Sequence, residues 1–229
     1  MDYKKKQALH HYLNKYITRE RAAKIRHVLE YRTRYITFVL ENIYQPHNAS
    51  AVLRSCEING IQDIHVIENN NTFNPSKNVA MGAGKWLSVY KYNQHENNTI
   101  ETLNKLKTKG YQIASTTPHH YDYLLQDVPM DQPLALLFGT ELTGLSKEAI
   151  DHSDIFVKIP MYGFTESYNI SVTAALCAYE LTQKLRNSRI EWQLSKDDVL
   201  DLETEWYKRT IKRSDLLEKE FLKNYSTHN

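Results

Sequence analysis

The sequence predicts an α/β body built on a largely parallel sheet flanked by helices, with a helical extension at each end. Three observations carry that expectation. Between Tyr35 and Leu185, short β-rich runs alternate with stretches of helical period. Residues 4–31 are helical in pattern within a strongly basic stretch of 35 residues, and beyond Arg189 two further helical patterns of mixed charge follow. The implied organisation is residues 1–34, 35–187 and 188–229.

In order, Leu9, Tyr12, Leu13 and Tyr16, then Ile25, Val28 and Leu29, fall at helical spacing, so residues 4–31 form one or two basic helices. The β-rich runs are 35–40, 63–67, 87–92, 111–116, 134–138 and 155–159. Helical patterns lie between several of them, at 49–59, 99–107 and 147–151, and a longer one occupies 170–185. Residues 195–207 and 211–221 complete the chain as helices, where Trp192, Trp206 and Tyr207 are expected to pack rather than to stack on bases.

No apolar run is long enough to span a bilayer, so no membrane role is expected. The start, MDYKKKQALHHYLNKY, lacks the apolar stretch and cleavage site of a secretory signal, which makes a cytoplasmic location the expectation. Cys56 and Cys177 lie in apolar periodic segments, where free cysteine behaves as a small buried hydrophobe. Neither a zinc-type cysteine pair nor an HExxH pattern occurs, and no metal is expected.

The net charge of +2 conceals an asymmetry. Residues 1–35 hold ten Lys and Arg against three acidic residues, a local +7, so the rest of the chain sums to -5. From charge alone this arm is either a polyanion-binding appendage or a solvated helical extension.

Three segments could carry chemistry. In the first, Gln45-Pro46-His47-Asn48-Ala49-Ser50-Ala51-Val52-Leu53-Arg54, a helix packs Ala49, Val52, Leu53 and Cys56 on one side and presents His47, Ser50 and Arg54 on the other. Arg54 offers five fixed donors suited to phosphate, or is a surface arginine without a task; Asn48 reads equally as a cap. In the second, the run Leu134–Phe138 delivers Gly139 and Glu141 to the carboxyl end of a strand, where α/β sheets hold ligands, and glycine there admits a close approach. It is neither a GxGxxG nor a GxxxxGK[ST] loop, which removes the usual support for a nicotinamide or P-loop enzyme. In the third, a strand ending at Ile159 and a loop shaped by Pro160 and Gly163 lead to Ser167 and Asn169 at a helix start. Capping accounts for such residues as readily as catalysis does, and both roles are compatible.

Taken together in this order and spacing, PHNxSAxLR, FGxExxGxS and IPMxGxxxSxNxSVxxA resemble the three motifs of the SpoU-TrmH methyltransferases, particularly the TrmH type acting on a D-loop guanosine of tRNA. The resemblance covers roughly residues 35–187. It implies a deep C-terminal trefoil knot, S-adenosylmethionine as methyl donor with S-adenosylhomocysteine as product, a homodimer, and a tRNA substrate. It also implies catalytic places for Arg54, Asn48, Glu141, Ser167 and Asn169, and donor contacts from Thr116, Gly139, Ile159, Met161 and Tyr168. Tyr168 departs from the leucine common there; main-chain contacts survive that change. With an RNA substrate, the basic arm becomes a phosphate-binding element through Arg19, Lys24 and Arg26, with His47 beside the first motif.

A ribose hydroxyl is a poor nucleophile near neutral pH, so transfer needs alignment and help with a proton. An always-charged guanidinium is an awkward base, and the expectation is that Arg54 clamps a phosphate and stabilises developing alkoxide charge. The rivals are the same reaction on ribosomal RNA and a catalytically silent RNA-binding protein. The short arm before Tyr35 disfavours the first, since relatives acting on ribosomal RNA often carry a separate N-terminal domain. The complete set Arg54, Glu141, Ser167 and Asn169 disfavours the second.

Overall fold

Ile36–Glu41 is buried at every position, as a strand covered on both faces must be. This strand, β1, lies near the middle of the sheet in a computed structural model that describes residues 1–119 and 121–227. His120 and residues 228 and 229 of the expected C-terminal extension lie outside the described residues.

The chain opens with helices α1 (Tyr3–Asn14) and α2 (Arg19–Leu29), and the body follows with β1, α3 (Pro46–Asn59) and β2 (Asp63–Ile67). Next come α4 (Lys77–Ala80), β3 (Ser88–Tyr92), α5 (Thr99–Thr108), β4 (Gln112–Thr116), β5 (Tyr123–Leu124) and β6 (Leu134–Phe138). Then α6 (Lys147–Asp151), β7 (Ile155–Lys158) and α7 (Ile170–Arg186) precede α8 (Lys196–Thr210) and α9 (Ser214–Thr227).

The strands pair in the order β3-β2-β1-β6-β4-β7-β5, and every pair among the described residues is parallel. The short β5, pairing Tyr123 with Val157, is absent from the sequence expectation because two residues cannot display a period. Arg213, at φ 57°, breaks the last helical stretch, so α9 starts at Ser214 rather than at residue 211.

Alternate side chains of the central strands feed two apolar layers. Phe38, Leu40, Leu136 and Phe138 pack with Val52, Leu53 and Cys56 of α3 and Ala174, Cys177 and Leu181 of α7. Val39, Ala135 and Leu137 pack on the other face with Leu103 and Leu106 of α5 and Ala149 of α6. Phe38 and Phe138 meet at 4.7 Å between ring centres, which ties β1 to the strand that ends at the second motif. Trp192 packs against the first layer.

Residues 1–32 and 193–229 form a second compact unit, so the two terminal extensions come together as one. Leu9, Leu13, Ile25 and Leu29 share its core with Leu202, Trp206 and Tyr207. The Arg32 guanidinium sits 5.2 Å from the Trp206 ring centre. At its heart is Glu203, which accepts from Arg26 Nε at 2.9 Å and Tyr207 Oη at 2.6 Å and lies 3.1 Å from His10 Nε2. Burial pushes the Glu203 carboxyl up, but the hydrogen bonds from His10, Tyr207 and Arg26 outweigh it and hold it down at about 2. Part of the arm's positive charge is therefore met within this unit, Arg26 by Glu203 and Lys6 by Asp201 at 2.7 Å.

Candidate active site

The carboxyl ends of β4, β6 and β7 open onto a cleft of about 460 Å³, the size of a small-molecule site. Thr116 closes β4, Gly139 follows β6, and Ile159 and Met161 follow β7; all four line the cleft. Tyr168, Ser167, Asn169 and Glu141 line it as well. Hence the five residues for which donor contacts were expected share one cavity with three of the five expected catalytic residues.

The loop after β6 is a tight, fixed element. Thr140 and Gly144 exchange backbone hydrogen bonds of 2.9 and 3.0 Å. A Cβ on Gly139 would lie 2.2 Å from the Gly144 carbonyl carbon and oxygen. The returning backbone by itself requires glycine at 139, a close approach that the sequence did not show. Gly144 itself sits at φ 68°, a left-handed conformation. Ser146 then caps α6, its Oγ accepting from Ala149 N at 3.1 Å.

Asn169 joins the three motifs. Its Oδ1 accepts from Ser171 N at 2.8 Å and caps α7, and Ser171 Oγ donates to the same oxygen. Those donors fix the amide, so Nδ2 is turned toward Glu141 Oε1, 2.5 Å away, and Asn48 Oδ1, 3.4 Å away. The cap and the cluster are two faces of one side chain. Ser167 is exposed in the preceding loop, on the cleft wall.

On α3 the structure revises the sequence reading. Pro46 occupies the first turn, suited by its fixed φ, so the helix starts three residues before Ala49 and Asn48 lies inside it rather than capping it. Asn48 is buried and donates from Nδ2 to Gln45 Oε1 at 2.8 Å, which aims its Oδ1 at Asn169. Ser50 does not share the outward side with His47 and Arg54. It is fully buried, donating to Pro46 O at 2.6 Å, because the segment ending at Ser76 covers that flank. His47 and Arg54 are exposed, and Arg54 does not line the cleft. Arg19 and Lys24 are exposed on α2, in the other unit. Gln45 was missed in the sequence; its only signal is a polar residue three positions before Asn48 at a helix start.

The groups lining the cleft suit a nucleoside-derived ligand: apolar Phe138, Ile159 and Met161, the Thr116 hydroxyl, and strand-end backbone. Among the described residues no cluster of His, Cys, Asp and Glu could hold a metal.

Fold and site together define a parallel α/β protein with a strand-end ligand cleft and a carboxylate and amide cluster beside it. Residues 35–179 match the SpoU rRNA Methylase family. A tRNA (guanosine(18)-2'-O)-methyltransferase of Borreliella burgdorferi is 41% identical over 206 residues, 90% of this chain and 93% of that protein. Its counterpart in Thermus thermophilus is 32% identical over 71% of this chain and 82% of its own length. The structure of the A. aeolicus TrmH/SpoU tRNA modifying enzyme superposes with a TM-score of 0.74 at 25% identity, covering 85% of this chain and 98% of that one. This chain belongs to the SpoU methylase family.

Proposed function

We propose that this protein methylates the 2'-hydroxyl of guanosine 18 in tRNA, using S-adenosylmethionine and releasing S-adenosylhomocysteine. The observation that carries the reading is the Asn48, Asn169 and Glu141 cluster at the edge of the strand-end cleft, in a chain 41% identical to a protein of that name. The ribosomal alternative is not better supported, since the relatives of 41% and 32% identity carry the tRNA name although the family description mentions rRNA, and a silent binder has no need of the cluster.

When bound, S-adenosylmethionine supplies an electrophilic methyl group. Thr116, Gly139, Ile159, Met161 and Tyr168 hold the donor, and Ser167 borders it. Asn169 holds the Glu141 carboxylate in one place, so that its free oxygen can accept from the ribose. Arg54, facing outward from α3, meets the RNA: it clamps a phosphate and stabilises negative charge as the 2'-oxygen loses its proton. The bound donor would supply the methyl carbon as its carbon-sulfur bond breaks and S-adenosylhomocysteine leaves, and the 2'-hydroxyl proton would pass to solvent.

Residues 35–187 form the methyltransferase domain in this reading, and the passage from β7 into α7 is the trefoil knot. The exposed apolar stripe Val172, Leu176 and Tyr179 on α7 supports a homodimer with the active site near its boundary. Arg19, Lys24 and Arg26, with His47, contact tRNA phosphates, and the protein acts in the cytoplasm. No helix among the described residues is long and apolar enough to cross a membrane.

The test is to incubate the protein with labelled S-adenosylmethionine and either bulk tRNA or ribosomal RNA, then map the methylated nucleotide. Label at the 2'-oxygen of tRNA guanosine 18 is expected. Label only in ribosomal RNA, or donor binding without transfer, would overturn the assignment.

A further inference from the structure

Glu41 ends β1 with a carboxylate that is 1% exposed. Three hydrogen-bond donors converge on it. Ser146 N donates to Oε2 at 2.9 Å, Ser146 Oγ donates to Oε1 at 2.7 Å, and Thr99 Oγ1 donates to Oε1 at 2.6 Å. The direction of each hydroxyl is set elsewhere. Ser146 Oγ already accepts from Ala149 N at 3.1 Å, and Thr99 Oγ1 accepts from Asn69 Nδ2 at 2.9 Å. Both hydroxyls are therefore committed to giving their protons to Glu41, and only an acceptor with two free oxygens satisfies all three donors.

Ser146 is the last residue of the loop that opens at Gly139 and carries Glu141 along the cleft. One end of that loop is fixed by β6, and its middle is fixed by the Thr140 and Gly144 bridge. Its far end is fixed by Ser146, which is held both by α6 and by Glu41, 105 residues away. We infer that Glu41 is a positioning residue for the donor site: acting through Ser146, it sets the place of the Gly139–Ser146 wall and of the Glu141 carboxylate on it. The inference also gives Ser146, the last position of the FGxExxGxS motif, a task that helix capping alone does not exhaust.

This rests on the cleft being the S-adenosylmethionine site. A glutamine at 41 would turn its NH2 either on the Ser146 amide or on the two committed hydroxyls, so the wall would lose its register while the fold remained. The test measures S-adenosylhomocysteine binding by calorimetry and steady-state methylation of tRNA for Glu41→Gln, Ser146→Ala, the double variant and Ser146→Thr, all in the full chain, with Tm recorded for each. The expected result is a Kd and a donor KM about tenfold higher in both single variants, with kcat lowered as well because the displaced wall carries Glu141, and no further change in either parameter in the double. Ser146→Thr, which keeps the hydroxyl, stays within about twofold of wild type. Lowered Tm with unchanged Kd and KM, or additive effects in the double variant, would overturn the inference. Should Glu41→Gln fail to fold, the comparison of Ser146→Ala with Ser146→Thr decides it. A wild-type chain that binds no S-adenosylhomocysteine overturns the reading of the cleft as well, whereas binding that no variant alters overturns this inference alone.

Discussion

The amide of Asn169 is turned so that one end caps α7 through Ser171 and the other donates to Glu141, 28 residues away in sequence. The two tasks separate by substitution. Asn169→Asp keeps the cap, since a carboxylate also accepts from Ser171 N, but it sets two carboxylates face to face and removes the donor. Its Tm is expected to stay near wild type while single-turnover methylation falls on the order of 100-fold, as when one fixed donor is removed. Asn169→Ala loses both, and adds a stability cost of about 1 kcal/mol, read in denaturant unfolding.

Arg54 is exposed on α3, so its replacement should leave stability within about 0.5 kcal/mol of wild type. Arg54→Ala is expected to slow single-turnover methylation roughly 100-fold, and Arg54→Lys less, because an ammonium keeps the charge and loses the fork. If the arginine acts by charge rather than as a base, the residual rate of Arg54→Lys keeps the wild-type pH profile. A rate in Arg54→Ala equal to wild type would remove Arg54 from the reaction.

Gly139→Ala places a methyl 2.2 Å from the Gly144 backbone, and no side chain there can yield. The loop must open. The expected cost is roughly 1–3 kcal/mol of stability, together with loss of S-adenosylhomocysteine binding in calorimetry. Unaltered binding would mean that the loop is looser than its bridge implies.

Deleting the basic arm is a poor test of RNA binding, because residues 1–32 share a core with Trp206 and Tyr207. Charge removal at Arg19 and Lys24, both exposed, leaves that core intact. The double variant Arg19→Ala/Lys24→Ala should weaken tRNA binding and flatten the plot of log K against log salt by about one unit per lost phosphate contact. Arg26, held by Glu203, should contribute less than either.

Acid should act on the two units differently. Glu203 is held at about 2, below its unfolded value, so its contribution is complete above roughly pH 4.3 and is lost as pH falls toward 2. Burial first, and then Lys109 and Lys105, lower the His65 imidazole to about 4. The unfolded chain then binds a proton that the folded chain refuses, so the body weakens as pH falls from about 6.5 to 4. Thermal unfolding of Glu203→Gln and His65→Phe across this range checks both: each variant should lose the pH slope in its own window.

The strands and the longer helices were legible because β1 and β6 are nearly continuous apolar or β-branched runs and the longer helices show their period, whereas the four-residue α4 is too short to display one. The motifs were legible because Asn48, Glu141, Ser167 and Asn169 stand out as polar residues at element ends. Ser50 was misplaced for a physical reason: a helical wheel assigns a side from the helix alone, while the segment ending at Ser76 buries that flank. The packing reason for glycine at 139 was not legible, because a sequence cannot show where the backbone returns to pack on itself.

By itself, the sequence determined the parallel α/β body, the two basic and mixed-charge helical ends, and the residues that a cleft at the strand ends could use. Local period and residue chemistry suffice for that. Only the tertiary structure decided that the two ends form one unit around Glu203, that Asn169 holds Glu141 and faces Asn48, and that Glu41 grips Ser146. Asn169 and Glu141 are 28 positions apart, Glu41 and Ser146 105, Asn169 and Asn48 121, and Arg26 and Glu203 177, and only folding brings such donors and acceptors into range.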